Sequence, residues 1–183
     1  MTTWGVTICF AVALGLVACS DDAGDGSSPT TEQTSSSTTT TAPERPSSTT
    51  TTAFDPASVK GQVEAAYLKS WDVYADAVYD LVLDEAALAE VYGDELLKVT
   101  RAEIQRRIDE RRAALVEVDH DYSIDLTADD KAVLVDRYVN HQVLIDPETK
   151  KPIEADPNTA IADAFDLRRE GARWIVVNQV RLT

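Results

Sequence analysis

From residue 55 onward the apolar positions fall first at helical and then at strand spacing. Asp55-Pro56 reads as an N-cap followed by a proline in the first helical turn. Val59, Val63, Tyr67, Trp71, Tyr74, Val78 and Leu81 then recur at steps of three or four, one face of a long amphipathic helix. Asp84 predicts the cap of a second helix carrying Leu88, Val91 and Tyr92, with Gly93 as its C-cap. A third helix carries Leu97, Ile104, Ile108 and Leu115, starting at Asp94 or at the Thr100-Arg101-Ala102-Glu103 capping box, so the helical region breaks near Gly93.

The period then changes to two. In "VEVDHDYSIDLT", Val116, Val118, His120, Tyr122, Ile124 and Leu126 share one face, and Glu117, Asp119, Asp121, Ser123 and Asp125 the other. This predicts a half-buried strand. "TADDK" is a turn, and Ala132 to Ile145 reads as a long second strand with Val133, Val135, Val139, Val143 and Ile145 inward. The prolines of "DPETKKPIEADPNT" exclude a central strand and predict a loop. A third strand from about Ala160 to Arg168 turns through "REGA" into a fourth, Arg173 to Leu182, with Trp174, Val176, Val180 and Leu182 inward. The prediction for residues 54–183 is an α+β domain, with three N-terminal helices packed on a curved four-stranded antiparallel sheet.

Ahead of the domain the pattern is different again. Residues 4–18, "WGVTICFAVALGLVA", form an apolar run short for a membrane span and suited to a signal-peptide core. Its end, Leu16-Val17-Ala18-Cys19, resembles the bacterial lipobox. That resemblance implies a signal peptide over 1–18, a diacylglyceryl group on the Cys19 thiol, and cleavage after Ala18. The n-region "MTT" lacks the usual Lys or Arg, which a start codon placed too late would explain. Residues 19–53 are rich in Ser and Thr with almost no large apolar side chain, so they predict a disordered tether with a typical span of roughly 30 Å. Its composition also suits an O-glycosylated stalk.

Composition narrows the chemistry. The only cysteines are Cys9 and Cys19, so the domain has neither a disulfide nor a thiolate metal site. A net charge of −15 argues against a nucleic-acid partner. "EIQRRIDERRAAL" interleaves acids and bases at helical spacing and reads as a solvated, self-paired face. No calcium loop, phosphate loop, histidine metal spacing or nucleophile elbow occurs, and no cofactor is predicted.

The long aromatic helix, two shorter helices, antiparallel sheet and closing "WIVVNQVRL" strand resemble the nuclear transport factor two-like, or SnoaL-like, superfamily. The Thr-rich tether and the Ala/Asp/Arg/Val-rich domain also resemble actinobacterial lipoproteins. The first resemblance implies a cone whose sheet curls around the long helix and leaves a pocket. Strand parity would send His120, Tyr122, Arg137, His141, Asp163 and Asn178 into that pocket, beside Tyr67, Trp71 and Tyr74 of the helix. His120, His141 and Asp163 are then the candidate catalytic groups, in general acid or base work of the kind related lyases and isomerases perform. Each also has a plainer reading: a satisfied core histidine, a solvent-facing His141, an Arg137–Asp163 structural pair, an aromatic core stripe. Leu134, Tyr138 and Leu144, on the opposite parity, are a possible homodimer surface. The expected function is a non-catalytic binding or accessory domain on the outer face of the cell membrane, engaging an envelope protein, an envelope polymer or a small apolar ligand. The alternatives are a small-molecule lyase or isomerase and a structural spacer.

Overall fold

The computed structural model describes residues 49–50, 54–155 and 158–183. The leader, Cys19 and most of the tether lie outside the described residues. Among the described residues no helix is long and apolar enough to cross a membrane.

A two-residue strand β1 (Thr49–Thr50) precedes α1 (Val59–Asp80), α2 (Glu85–Val91) and α3 (Asp94–Asp109). Then follow β2 (Ala113–Leu115), β3 (Val118–His120), β4 (Tyr122–Ala128), β5 (Lys131–Asn140), β6 (Val143–Ile145), β7 (Pro152–Ala155), β8 (Thr159–Glu170) and β9 (Arg173–Arg181). The expected helix–helix–helix–sheet order holds, but the sheet is larger than the four strands expected. Six strands form one sheet in the order β1-β3-β5-β8-β9, with β4 also on β5, and β2-β6-β7 form a second, smaller sheet.

The helix starts follow capping chemistry. Ser58, not Asp55, caps α1, and its hydroxyl accepts the Gly61 N–H at 3.0 Å. Asp55 instead holds a turn folded over the first helical turn, so close that a Cβ on Gly61 would lie 2.1 Å from the Asp55 carbonyl oxygen. Asp84 caps α2 through the N–H groups of Ala86 and Ala87. Gly93 ends no helix. Tyr92 is the C-cap of α2, while Gly93 is the N-cap of α3 and donates its N–H to Val176 of β9 at 3.0 Å. α3 therefore starts at Asp94, Thr100 lies inside it, and Leu115 belongs to β2.

The alternation read in the first strand is present, as β3 and β4 interrupted at Asp121. His120, Tyr122 and Ile124 are buried, while Leu126 is exposed near the hairpin end. On β5 the inward face is the reverse of the one expected. Ala132, Leu134, Asp136 and Tyr138 are buried, whereas Val133, Val135 and Val139 are half-buried and Arg137 is exposed. Valines on one parity competed with larger side chains on the other, and Leu134 and Tyr138 bury more area per residue. Leu134 and Tyr138 therefore cannot form a dimer surface. The strand also ends earlier than predicted: Val143, Leu144 and Ile145 form β6 in the smaller sheet, with Leu144 packed against the core. Part of the predicted loop is the strand β7, and its Pro152 lies at that sheet's edge, where a missing N–H is tolerated.

β8 pairs with β5 from Lys131↔Arg168 to Asn140↔Thr159 and keeps Asp163, Phe165 and Leu167 inward. β9 begins with Trp174 and Val176 inward, as predicted. Its register then shifts, because Asp166 pairs with Asn178 but Leu167 with Val176. The extra residue, Val177, exchanges the faces beyond it. Val180 and Leu182 turn outward, while Gln179 and Arg181 reach Asp163.

Two apolar clusters fill the space between α1 and the sheet. One gathers Val63 and Tyr67 with Tyr122, Leu134, Phe165 and Trp174. The other gathers Val78 with Leu88, Ile104, Val118 and Tyr138. Trp71 and Tyr92 pack against both.

Candidate functional site

The best-defined polar constellation lies between these clusters. β5 and β8 place Asp136 and Asp163 directly opposite each other, both fully buried. Two carboxylates at such a position repel unless each is compensated. Asp136 accepts His120 Nδ1 at 2.6 Å and the Tyr67 hydroxyl at 2.8 Å on Oδ2, and the Asp121 N–H at 3.0 Å on Oδ1. Asp163 accepts the Tyr138 hydroxyl at 2.8 Å and Gln179 Nε2 at 2.8 Å, and Arg181 Nε closes on its other oxygen at 2.5 Å.

A third carboxylate extends this polar core. Glu64 of α1 accepts the Tyr122 hydroxyl and, at 2.9 Å, the N–H of Phe54. The three acids thus tie α1, the entering chain and five strands of the large sheet together, through three tyrosine hydroxyls and the side chains of His120, Gln179 and Arg181. Burial pushes the hydroxyl pKa of Tyr67 and of Tyr138 well up, and in each case the neighbouring Asp136 or Asp163 charge adds to it. Burial likewise raises Tyr74 and Tyr92.

His120 stands inside an aromatic box. Its ring centroid lies 5.6 Å from Tyr67, 5.4 Å from Trp71, and 6.3 Å from each of Tyr122 and Tyr138. With Asp136 acting as acceptor, Nδ1 carries the proton of that pair. Nε2 makes no hydrogen bond among the described residues. A histidine–carboxylate pair has the makings of general acid or base catalysis. Both side chains, however, are 0% exposed, so a substrate cannot touch either in this conformation.

The three candidate catalytic residues do not meet. His141 sits on the surface beside Asp119 at 2.9 Å, and hydrogen bonds with Asn158 and then Asp119 raise its pKa above the ordinary histidine value. His120 pairs with Asp136, and Asp163 with Tyr138, Gln179 and Arg181. Of the proposed pocket residues, Tyr67 and Tyr122 are buried in the box, Trp71 and Tyr74 are half-buried, and Arg137 faces outward. Asn178 bonds Asp166 at 2.9 Å beyond the bulge. The guanidinium at Asp163 is therefore that of Arg181. Asp136, Glu64, Gln179 and Arg181 were missed by sequence reasoning. Glu64 carried a signal, since it stands one residue after Val63 and three before Tyr67 on the apolar stripe. Among the described residues no group of three or more His, Cys, Asp or Glu could hold a metal ion.

No family model matches the sequence, and no curated protein matches it. Solved structures do. The intermembrane space region of the chloroplast protein ARC6 superposes with a TM-score of 0.53 at 16% identity, covering 66% of this chain and 94% of that one. The likeness is one of fold. An NTF-2-like protein of unknown function from Shewanella oneidensis MR-1 matches with a TM-score of 0.41 at 11% identity, over 65% of this chain and 98% of that one. An uncharacterized protein with a cystatin-like fold from Caulobacter vibrioides matches with 0.44 at 8%, over 68% and 89%. The described residues form an α+β fold of helices packed on antiparallel sheets, compatible with a cone-like arrangement, and a fold leaves function to be argued from the site.

Proposed function

We propose that the chain is a lipoprotein anchored through Cys19 on the outer face of the cell membrane, and that its domain is a non-catalytic binding or accessory module for an envelope protein. The observation that carries the non-catalytic reading is the complete burial of His120 and Asp136. The interior that could have held a substrate is filled by aromatic rings. The anchor rests on the lipobox resemblance of Leu16 to Cys19 and on the composition of the tether. The ARC6 region that shares the fold is also described as lying between membranes, which fits a domain held beside one.

The test follows both parts in cells fed an alkyne analogue of palmitate. The full chain is expected to take up the label and enter the detergent phase, and Cys19→Ala to lose both properties. Crosslinking in intact envelopes is expected to join the full chain to a discrete protein. Undiminished labelling of Cys19→Ala would remove the anchor, and crosslinking that yields no protein would remove the binding role.

One observation favours a second reading, the small-molecule lyase or isomerase. His120 Nε2 is without a hydrogen-bond partner among the described residues, and Trp71 packed on its ring is only half-buried. Displacement of Trp71 would expose a histidine already oriented by a carboxylate. This reading predicts that some small carbonyl or hydroxyl compound shifts the imidazole nitrogen resonances of His120 in NMR spectra of the protein. A screen of such compounds that moves only the surface His141 would end it.

A further inference from the structure

The C-terminal half of α1 and the start of α2 enclose a groove of about 210 Å³, separate from the aromatic box. Its floor is apolar: Ala77 and Leu88 are buried there, with Val73 beside them. Val82, on its wall, is 55% exposed, unusual for a valine beside an apolar floor. Around the groove stand Asp76, Asp80 and Asp84. Ligand pockets for drug-sized molecules run to roughly 300–1,000 Å³, so this volume suits one apolar side chain rather than a small-molecule substrate.

The ionisable side chains that line the groove, Asp76, Asp80 and Asp84, are all acidic. Between Ser70 and Leu97 the sequence has no Lys or Arg, and of the other acids in that stretch Glu85, Glu90, Asp94 and Glu95 pair with Arg101, Lys69, Arg168 and Lys98 from outside it. Asp72, Asp76 and Asp80 follow one another at the i, i+4 spacing where like charges repel on a helix. Asp80 is also the last residue of α1, whose last turn has no basic residue. A carboxylate there opposes the helix dipole, and a cation is favoured instead. The chain already supplies one such cation. Lys150, from the β6–β7 turn, donates Nζ to the Tyr79 carbonyl at 2.6 Å, rides 4.4 Å over the Tyr79 ring, and comes within 3.7 Å of Asp80. Even so, the Asp80 side chain remains 55% exposed.

We propose that this groove is the docking site of the partner protein, and that it takes a short segment in which one apolar side chain is flanked by Lys or Arg. The apolar residue enters between Val73, Ala77, Val82 and Leu88, and the cations meet Asp76, Asp80 and Asp84. The inference rests on the binding role proposed above and gives that role a location and a partner chemistry. The same acidic rim repels nucleic acid and anionic lipid headgroups, which leaves a basic protein segment as the complementary occupant. The second groove, beside Val59 and Leu126, mixes Asp129 with Arg169 and selects no sign of charge.

The experiment uses the full chain and a fluorescent peptide, Gly-Arg-Lys-Leu-Arg-Lys-Gly. Binding is expected, weakening as salt rises from about 50 to about 300 mM. Replacing the peptide's Leu by Gly, or its basic residues by Glu, is expected to abolish it. Asp76→Asn with Asp80→Asn is expected to weaken binding about tenfold, two partly exposed charge pairs being lost together. Circular dichroism and the urea midpoint of the double variant establish that it is folded. No binding by the peptide, equal binding of the Gly peptide, or unchanged affinity of a folded double variant each overturns the groove assignment. If the double variant still crosslinks the envelope partner as the parent chain does, the binding role stands and the groove is not its site.

Discussion

Replacing Asp136 by alanine is expected to destabilise the domain by roughly 2–6 kcal/mol, since two fully buried donors each lose their acceptor at about 1–3 kcal/mol. The carboxylate serves three donors at once, His120 Nδ1, the Tyr67 hydroxyl and the Asp121 N–H. Neither the imidazole nor the Tyr67 hydroxyl can turn to water without opening the core, so each would be left with its desolvation cost and no acceptor. Asp136→Asn keeps one acceptor oxygen and should lose less. Asp125→Ala, on the exposed face of β4, should stay within about 0.5 kcal/mol of the parent chain. Urea denaturation followed by circular dichroism measures all three. A loss below about 1 kcal/mol for Asp136→Ala would mean that the pair contributes little to the fold.

Alkali is the second condition with a large expected effect. Tyr67, Tyr74, Tyr92 and Tyr138 all have raised hydroxyl pKa values in the folded protein, with burial as the leading cause. A raised folded pKa means that the unfolded chain ionises first. The contribution is complete below the ordinary tyrosine pKa of about 10 and falls as pH climbs above it toward the folded values. Each tyrosine that ionises only on unfolding removes about 1.4 kcal/mol per pH unit in that window. The expected result is cooperative unfolding above about pH 10, with tyrosinate absorbance at 295 nm from these residues rising together with loss of the sheet signal. Free titration of all six tyrosines in a protein that keeps its circular dichroism would contradict the buried hydroxyl network.

The helices and the first long strand could be read because each has one dominant period. Val63, Tyr67 and Val78 lie on a helical stripe, and His120, Tyr122 and Ile124 alternate with acids, so burial follows directly from spacing. β5 could not be read the same way, because Val133, Val135 and Val139 face one side while Leu134 and Tyr138 face the other, and both sides look apolar. The choice was made by tertiary packing against Phe165 and α1, which spacing does not encode. The β9 faces were lost at a single inserted residue, Val177. Its effect is to bring Arg181 to Asp163, which exchanged a wrong guanidinium, that of Arg137, for the right one. Asp136 stayed hidden for the same reason as Tyr138. His120 was legible as an inward residue, but its surroundings were not, since the box is assembled from α1, β4 and β5.

The bond from the Phe54 N–H to Glu64 also has a mechanical side. A pull from ahead of residue 49 would load the β1–β3 pairing first and this bond next, and Glu64 shares its other oxygen with Tyr122 of β4. Tension is thereby carried sideways into the large sheet before it can unwind the first turn of α1. The domain is arranged to bear load at the point where the preceding chain enters it.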